Sequence, residues 1–241
     1  MKYLIFGFLL AMTASANASL SLGDSDLKMS PDGANEFALT IGGFHPTAKF
    51  GFRGLPGDKG ERFGGNGFLF TADYLHAIVP AFAVGGELGY ISRTEQDVSN
   101  VVIGAASAAT RVRGDTSLLM AIARLRAPGL GWRPYALFGA GLNWTHLDLV
   151  GTAPGFQEIS IIRGDTSGLA LMGRAGIEYV SKKGTFLGLE AGYLHTDVKT
   201  YQPTTDGALA GFKSIQVAGD GVSYALRAGV RFGMPDDESG R

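Results

Sequence analysis

Apolar and polar residues alternate in the stretch from Gly168 to Tyr193, which contains two runs separated by the turn-forming sequence Ser-Lys-Lys-Gly. One face of each run carries large apolar side chains and ends in tyrosine. The other face carries glycine and alanine together with the charged residues Arg174, Glu178 and Glu190. A period of two is typical of β-strands, because an amphipathic helix repeats every three or four residues. The stretch therefore predicts a β-hairpin with one apolar face and one small or charged face.

The two faces of this hairpin indicate which solvent each one meets. A soluble sandwich turns its apolar side chains toward the core and its polar side chains outward. Here the apolar face is long and bordered by aromatic residues, which is typical of the lipid-facing side of a transmembrane β-barrel. The small and charged face then lines the interior of the barrel.

The same alternation recurs along the chain and predicts strands over residues 36–43, 67–77, 82–92, 117–127, 134–146, 168–180, 186–193 and 221–232. These lengths are close to the ~9–11 residues that a tilted strand needs to cross the hydrocarbon of a membrane. We predict an all-β protein, an eight-stranded antiparallel up-and-down transmembrane β-barrel over residues 36–232.

Long and short connections alternate between the predicted strands. The long connections span residues 44–66, 93–116, 147–166 and 195–220. With both ends of the chain on the periplasmic side, every long connection falls on the extracellular side, which is the arrangement of outer-membrane barrels. We therefore expect four long extracellular loops.

A Gly-Asx pair opens each strand that returns from a long connection, as at Gly65-Asn66 and Gly219-Asp220. Two of these pairs belong to Arg-Gly-Asp triplets, at residues 113–115 and 163–165. Glycine and Asx residues tolerate unusual backbone angles and cap turns, so we favour loop-to-strand geometry as the cause of the repeat. Adhesion to integrins through the triplets is the alternative.

The ends of the chain predict export. An apolar run followed by Ala16-Asn17-Ala18 is typical of a secretory signal peptide over residues 1–18. The run is too short for a membrane-spanning helix, which needs ~20 residues. We expect residues 19–35 to form a flexible periplasmic segment and residues 233–241 to form a polar periplasmic tail. The predicted location is the cell outer membrane, with the barrel integral to it.

Composition narrows the chemistry that this chain can perform. It has no cysteine, which excludes disulfides and thiolate metal sites. Its 21 Lys and Arg residues nearly balance its 22 Asp and Glu residues, so composition offers no electrostatic basis for binding nucleic acid. We expect neither a cofactor nor a metal.

Charged residues on the inward faces are the candidates for a functional interior. An eight-stranded barrel has an interior only wide enough for side chains to fill, and buried charges are tolerated there when opposite charges pair. The predicted network consists of Glu87, Arg124, Arg174, Glu178, Glu190, Arg227 and Arg231. We interpret it as a structural plug, and a narrow pore in which these pairs rearrange is the alternative.

Aromatic residues near the ends of the outward faces predict the two membrane interfaces. Tyrosine and tryptophan concentrate at the level of the lipid headgroups in barrels. The predicted aromatic girdle consists of Tyr74, Tyr90, Trp144, Tyr179, Tyr193, Tyr224 and Phe232.

Two His-x-Asp sequences lie at the outer ends of predicted strands, at residues 146–148 and 195–197. A histidine at such a rim could serve as a general base. However, His146 continues the face of Trp144, and His195 continues the face of Tyr193, so both point toward lipid or headgroups. The chain also lacks the hydrolase, zinc-protease and phosphate-binding motifs. We therefore expect no enzyme.

The chain resembles the small outer-membrane β-barrel proteins of the OmpA/OmpX-like eight-stranded family. The resemblance covers residues 36–232 and rests on Glu87-Leu88-Gly89-Tyr90, on residues 134–141 and 188–193, and on Ala228-Gly229-Val230-Arg231-Phe232. It implies that the barrel lies among outer-membrane lipid and lipopolysaccharide. It also implies folding by the barrel-assembly machinery with periplasmic chaperones, for which a final strand ending in an aromatic residue such as Phe232 is the signal.

The function that we expect is a structural or surface-interaction role carried by the extracellular loops. A narrow porin-like channel for small hydrophilic solutes is the alternative. Two further alternatives are a lipid-modifying or proteolytic outer-membrane enzyme and a soluble secreted barrel. The residues name no extracellular ligand.

Overall fold

A computed structural model describes residues 35–47, 49–52, 61–62, 66–94, 96–103, 106–127, 130–152, 158–206 and 214–232. The predicted signal peptide, residues 19–34 and the predicted tail at 233–241 lie outside these ranges. In the described ranges, no helix is long and apolar enough to cross a membrane.

Strands make up nearly all of the described chain. They are β1 (Asn35–Pro46), β2 (Lys49–Phe52), β3 (Glu61–Arg62), β4 (Gly67–Val79), β5 (Phe82–Arg93), β6 (Gln96–Ile103), β7 (Ala106–Arg126), β8 (Gly131–Thr152), β9 (Ile159–Val180), β10 (Thr185–Thr196), β11 (Lys199–Tyr201), β12 (Ile215–Val217) and β13 (Gly221–Phe232).

Eight of these strands close into one antiparallel barrel. Each pairs with its neighbours in the order β1, β4, β5, β7, β8, β9, β10, β13, and β13 then pairs with β1 from Asn35↔Phe232 to Pro46↔Gly221. The predicted eight-stranded antiparallel barrel is confirmed. Each strand has two pairing partners, so no strand edge faces lipid within the barrel.

The predicted long loops are wrong in extent, because much of their sequence is strand. β7, β8 and β9 have 21, 22 and 22 residues, and they continue as one sheet beyond the predicted strand ends. β6 pairs with the outer part of β7, and β11, β12, β2 and β3 form a second sheet from the other two long connections. We call the outer parts of β7, β8 and β9, from Arg111 to Thr116, Thr145 to Thr152 and Ile159 to Thr166, the extension.

The Gly-Asx pairs also differ from their prediction. Gly114-Asp115 and Gly164-Asp165 lie inside β7 and β9, where they oppose residues of β8, and they do not open those strands. The two Arg-Gly-Asp triplets thus flank His146-Leu147-Asp148 of β8 in register. Both triplets are extended and paired with β8, which is not the exposed loop that adhesion through such a triplet would need.

The extension has an apolar core of its own. Its inward face packs against β11 and β12, which lie over it. This outer cluster consists of Val112, Leu147, Leu149, Ile161, Ile162, Tyr201, Ile215 and Val217. Backbone bonds join the layers, since the amide of Thr204 donates to the carbonyl of Ile161 at 2.9 Å. Continued pairing of β7 to β9 follows from this burial, because the strands gain an apolar inner face outside the membrane.

Candidate functional site

The barrel interior holds a network of buried carboxylates and arginines, which we call the interior network. Every residue of the predicted charge set lies in it and is buried. The network consists of Glu36, Asp73, Glu87, Glu178 and Glu190 with Arg124, Arg126, Arg133, Arg174, Arg227 and Arg231.

Glu36, at the periplasmic end of β1, is the first centre of the network. It contacts four arginines from β7 and β13. Arg126 Nη1 lies 2.9 Å from Oε2, and Arg227 Nη2 and Arg231 Nε each lie 3.1 Å from a Glu36 oxygen. A single carboxylate therefore ties the first strand of the barrel to its last.

Glu178 of β9 is the second centre. Its Oε1 accepts hydrogen bonds from Arg133 at 2.8 Å and Arg231 at 2.9 Å. Its Oε2 lies 3.5 Å from both Arg124 and Arg227. Three of these arginines thus bridge Glu178 and Glu36, so the two centres form one cluster.

Nearer the middle of the barrel, Arg174 of β9 forms the third part of the network. It donates two parallel hydrogen bonds to Glu87 of β5, at 2.7 and 2.8 Å, and it also contacts Glu190 at 3.3 Å. The hydroxyl of Tyr135 donates to Glu190 at 2.8 Å. Paired and hydrogen-bonded charges of this kind are tolerated in a barrel interior, whereas isolated ones are costly.

Four members of the network are absent from the predicted set, although the alternation of inward and outward residues along the strands identifies most of them. Glu36 alternates with the outward residues of β1, and Asp73 shares the inward face of Thr71. Arg126 lies on the same face as Arg124. Arg133 falls in a segment that the sequence predicts as turn, so only the longer observed strand β8 places it inside.

Apolar side chains fill the interior beyond the network. We call these side chains the barrel cluster, which consists of Phe44, Leu69, Leu75, Ala83, Ile91, Leu118, Met120, Ile122, Leu137, Ala170, Met172 and Leu194. Most of them lie closer to the extracellular end than the charges do, as Leu118, Met120 and Ile122 do relative to Arg124 on β7. A cavity beside Phe44, Leu69 and Ile91 measures only about 10 Å³. That is roughly the space for one water molecule. Charged and apolar side chains thus lie in successive layers of the described interior.

A belt of hydrogen bonds crosses the interior between the barrel cluster and the outer cluster. Arg93 donates to Thr116 at 2.9 Å, and the hydroxyls of Thr116 and Thr145 are 3.1 Å apart. Tyr201 of β11 donates to the carbonyl of Thr145 at 3.2 Å and accepts from Thr166 at 2.8 Å. Burial raises the pKa of Tyr201, so its hydroxyl stays protonated and keeps donating. These hydrogen bonds therefore hold β11 against β8 and β9 at the end of the barrel from which the extension continues.

The residues of the predicted girdle lie on the outward faces in two groups. Tyr74, Tyr179 and Phe232 are at the periplasmic ends of their strands, and Tyr90, Trp144, Tyr193 and Tyr224 are toward the extracellular ends. Trp132 belongs with the first group, since it packs edge-on against Tyr179, but the prediction omits it. From Trp132 to Trp144 the strand rises ~40 Å at ~3.3 Å per residue. A tilt of about 45° projects this to ~28 Å, close to the height of a lipid-facing apolar band.

The two rim histidines face outward and contact residues other than those of their own His-x-Asp sequences. His146 donates from Nδ1 to Asp165 at 2.8 Å, and Asp148 instead accepts from Arg163 at 2.8 Å. His195 donates to Asp220 at 3.0 Å. The hydrogen bond from Arg163 to Asp148 raises the pKa of Arg163. In the part of the chain that the structure describes, no group of three or more His, Cys, Asp or Glu side chains is arranged to hold a metal ion.

Comparison with known proteins places the chain among outer-membrane barrels. The family model described as "Outer membrane protein beta-barrel domain" matches residues 5–232. No curated protein matches the chain at a significant level.

Similar solved structures include Ail, the attachment invasion locus protein of Yersinia pestis, with 15% identity, a TM-score of 0.41, and coverage of 82% of this chain and 99% of that chain. OprG from Pseudomonas aeruginosa has 14% identity and a TM-score of 0.49, over 83% of this chain and 98% of that chain. At these identities and TM-scores the similarity carries no argument about function.

Proposed function

The chain belongs to the family defined by the outer membrane protein beta-barrel domain, and on that premise we propose that it is a closed membrane anchor whose extracellular β-structure serves surface interaction. The observation that carries the proposal is the filled interior. Charges pair across the lumen, apolar side chains pack above them, and the cavity beside Phe44, Leu69 and Ile91 measures about 10 Å³. A barrel of this kind anchors what it carries outside the membrane.

The extension supports the second half of the proposal. It has its own apolar core and an outward face rich in Arg, Asp and His, so it is a folded surface rather than a set of loops. No catalytic activity is part of the proposal, since both rim histidines lie on the outward face, where each is about half exposed and is hydrogen-bonded to an aspartate.

Conductance in planar bilayers tests this function. The mature protein is refolded, and a mobility shift on heating in gel electrophoresis first verifies that the barrel is closed. We expect no steady conductance. Steady openings altered by Glu190→Gln or Arg227→Gln would reject the closed anchor in favour of a narrow channel. Leu171→Ala is the matched control, because Leu171 faces outward on the strand of Arg174 and should alter no interior path.

The proposal includes export and assembly of the protein in the outer membrane. The support is the signal-like sequence at residues 1–18 and the aromatic Phe232 at the end of β13. Barrel-assembly machinery, periplasmic chaperones and lipopolysaccharide are the partners that this route requires. N-terminal sequencing of protein from an outer-membrane fraction should start at Ser19, and a start at Met1 would contradict cleavage.

A further inference from the structure

The lipid-facing wall contains an open groove of about 750 Å³ that crosses β9, β10, β13 and β1. This volume lies within the ~300–1,000 Å³ that is typical of ligand pockets. The strand register explains its shape. One row of outward residues forms the floor with Gly43, Ala191 and Ala175, and Tyr224 stands between the first two. The next row, on the periplasmic side, forms a ridge of large apolar side chains, which are Ile41, Leu226, Leu189 and Ile177.

Two tyrosines border the groove without filling it. The ring of Tyr224 lies against Gly43, since a Cβ at Gly43 would be only 2.6 Å from carbons of that ring. Gly43 thus gives the ring a place over β1, on the side away from Ala191. On the extracellular side of Ala191, the hydroxyl of Tyr193 donates to Asp220 at 3.2 Å. Both rings are held by other contacts, so the groove is preformed.

The lining of the groove suits hydrocarbon. Its outward side chains are aliphatic apart from Tyr224. Glu190 belongs to the same part of β10, but its carboxylate lies inside the barrel, where it contacts Arg174 and Tyr135. The groove lies between the two groups of girdle residues, at the level of the lipid chains. Hydrophobic burial brings no gain there, so dispersion contacts decide what stays. A chain in the groove contacts the floor and the ridge, whereas a chain elsewhere contacts one surface.

The direction of the groove favours a flexible chain over a second copy of the protein. The floor row crosses the strands at right angles, so strands tilted by about 45° incline the groove to the membrane normal by about 45°. Two barrels in one membrane share their orientation, and a two-fold axis between them lies along the membrane normal. Rotation about that axis inclines the partner's groove and ridge the opposite way. The ridge of one copy therefore crosses the groove of the other, whereas a hydrocarbon chain can follow the groove along its length.

We propose that this groove is a binding site for one acyl chain of a membrane lipid, which it retains longer than the rest of the wall retains its chains. The small side chains of Ala191 and Ala175 and the position of Tyr224 over Gly43 create the site. The site requires that the barrel lie in a membrane, but it does not depend on whether the interior conducts. The closed anchor and the acyl-chain site can therefore fail independently.

Photolabelling of the protein in lipid nanodiscs tests the site. The probe is a phosphatidylcholine with a diazirine on one acyl chain, and mass spectrometry maps the labelled residues after irradiation and digestion. We expect the groove residues of β9 and β10 to be labelled about five-fold more than the outward residues around Ala140 of β8, which corresponds to about 1 kcal/mol at 1.4 kcal/mol per factor of ten. Equal labelling of the two walls would overturn the proposal.

Filling the groove makes the test specific. Ala191→Leu enlarges a floor residue and should reduce the labelling of the groove to that of the β8 wall, and Ala175→Leu should do the same. Ala140→Leu is the matched control, because Ala140 faces outward on β8 outside the groove, and it should leave the labelling of β9 and β10 unchanged. A heat-shift gel verifies that each variant forms a closed barrel.

Two results with these variants would overturn the site. The first is undiminished labelling of the groove in both filled variants. The second is a dimer in native mass spectrometry that Ala191→Leu disrupts and Ala140→Leu does not, because it would assign the groove to a second copy of the chain.

Discussion

The two halves of β8 differ in which face carries the apolar side chains, although they belong to one continuous strand. In the membrane-spanning half, the outward side chains are apolar, and the inward ones include charged and polar residues beside the apolar Leu137. In the extension the order inverts. The outward residues are Trp132, Phe138, Leu142 and Trp144, then His146 and Asp148, and the inward residues are Arg133, Tyr135 and Asn143, then Leu147 and Leu149.

The inversion follows from what lies outside the wall. Lipid removes the hydrophobic gain from turning apolar side chains inward, so apolar side chains cover the lipid-facing wall, and the interior holds paired charges beside the apolar barrel cluster. Water outside the extension restores that gain, and the apolar side chains move to the inside. A single alternating pattern thus serves both regions, and the surrounding solvent decides which face is apolar.

The largest expected effect comes from removing a centre of the interior network. Glu36→Ala leaves four buried arginines without one of their carboxylates and should cost about 3–5 kcal/mol of unfolding free energy. Denaturant unfolding in detergent, followed by the fluorescence of Trp132 and Trp144, measures the loss. Leu147→Ala is the matched comparison in the extension, and an equal loss in both would argue against a network that holds the barrel.

A charge on the lipid-facing side should have the next effect. Leu171→Arg or Leu189→Arg places a charge among apolar outward residues, at a cost of about 2–4 kcal/mol near the midplane. We expect reduced insertion, measured as the heat-shifted fraction after refolding into vesicles. The control is Val150→Arg, at an outward position of the extension, which should insert normally. Normal insertion of Leu171→Arg and Leu189→Arg as well would reject the assigned boundary between the two regions.

Truncating the core of the extension should affect that region alone. Leu147→Ala removes a buried side chain of the outer cluster and should cost about 2–3 kcal/mol there. Protease protection of the extension should fall while the heat shift of the barrel persists. Loss of the heat shift would indicate that the two regions fold as one unit.

The smallest effect should come from the exposed pair Arg163–Asp148. Both residues lie on the outward face of the extension, where salt screens them, so Asp148→Asn should leave the melting temperature unchanged. A clear drop in the melting temperature would show that the outward face of the extension is not fully open to solvent.

The sequence predicts the barrel correctly because alternation in eight segments is a repeated signal. Leu171 and Leu189 identify their faces even without tertiary information, and Arg174 and Glu190 follow on the opposite faces. The charge pairings are beyond sequence reasoning, since which arginine meets Glu36 depends on how far each strand is shifted against its neighbour. Arg124 and Glu36, for example, meet across the lumen from strands that are not paired with each other.

The extension escapes prediction for a different reason. In the sequence analysis, apolar side chains of a strand are expected to face outward. From Thr145 onward most outward residues of β8 are polar, so the sequence beyond this point resembles a polar loop. Val112, Leu147 and Leu149 continue the period of two, but on the inward face. Their role as a core depends on Ile215 and Val217, which arrive from a distant part of the chain.

The pairing of β1 with β13 has a consequence for how the molecule is made. Arg231 and Glu36 touch although 195 positions separate them, and Arg227 and Arg231, two of the four arginines around Glu36, belong to the last strand. Contacts this far apart in sequence slow folding, since the chain must be closed before they contribute. In a chain that ends before β13, the edges of β1 and β10 have no partner strand, and Glu36 lacks two of its four arginines. Closure of the wall therefore requires the last strand, and a chain that ends before β13 remains distinguishable from a complete one.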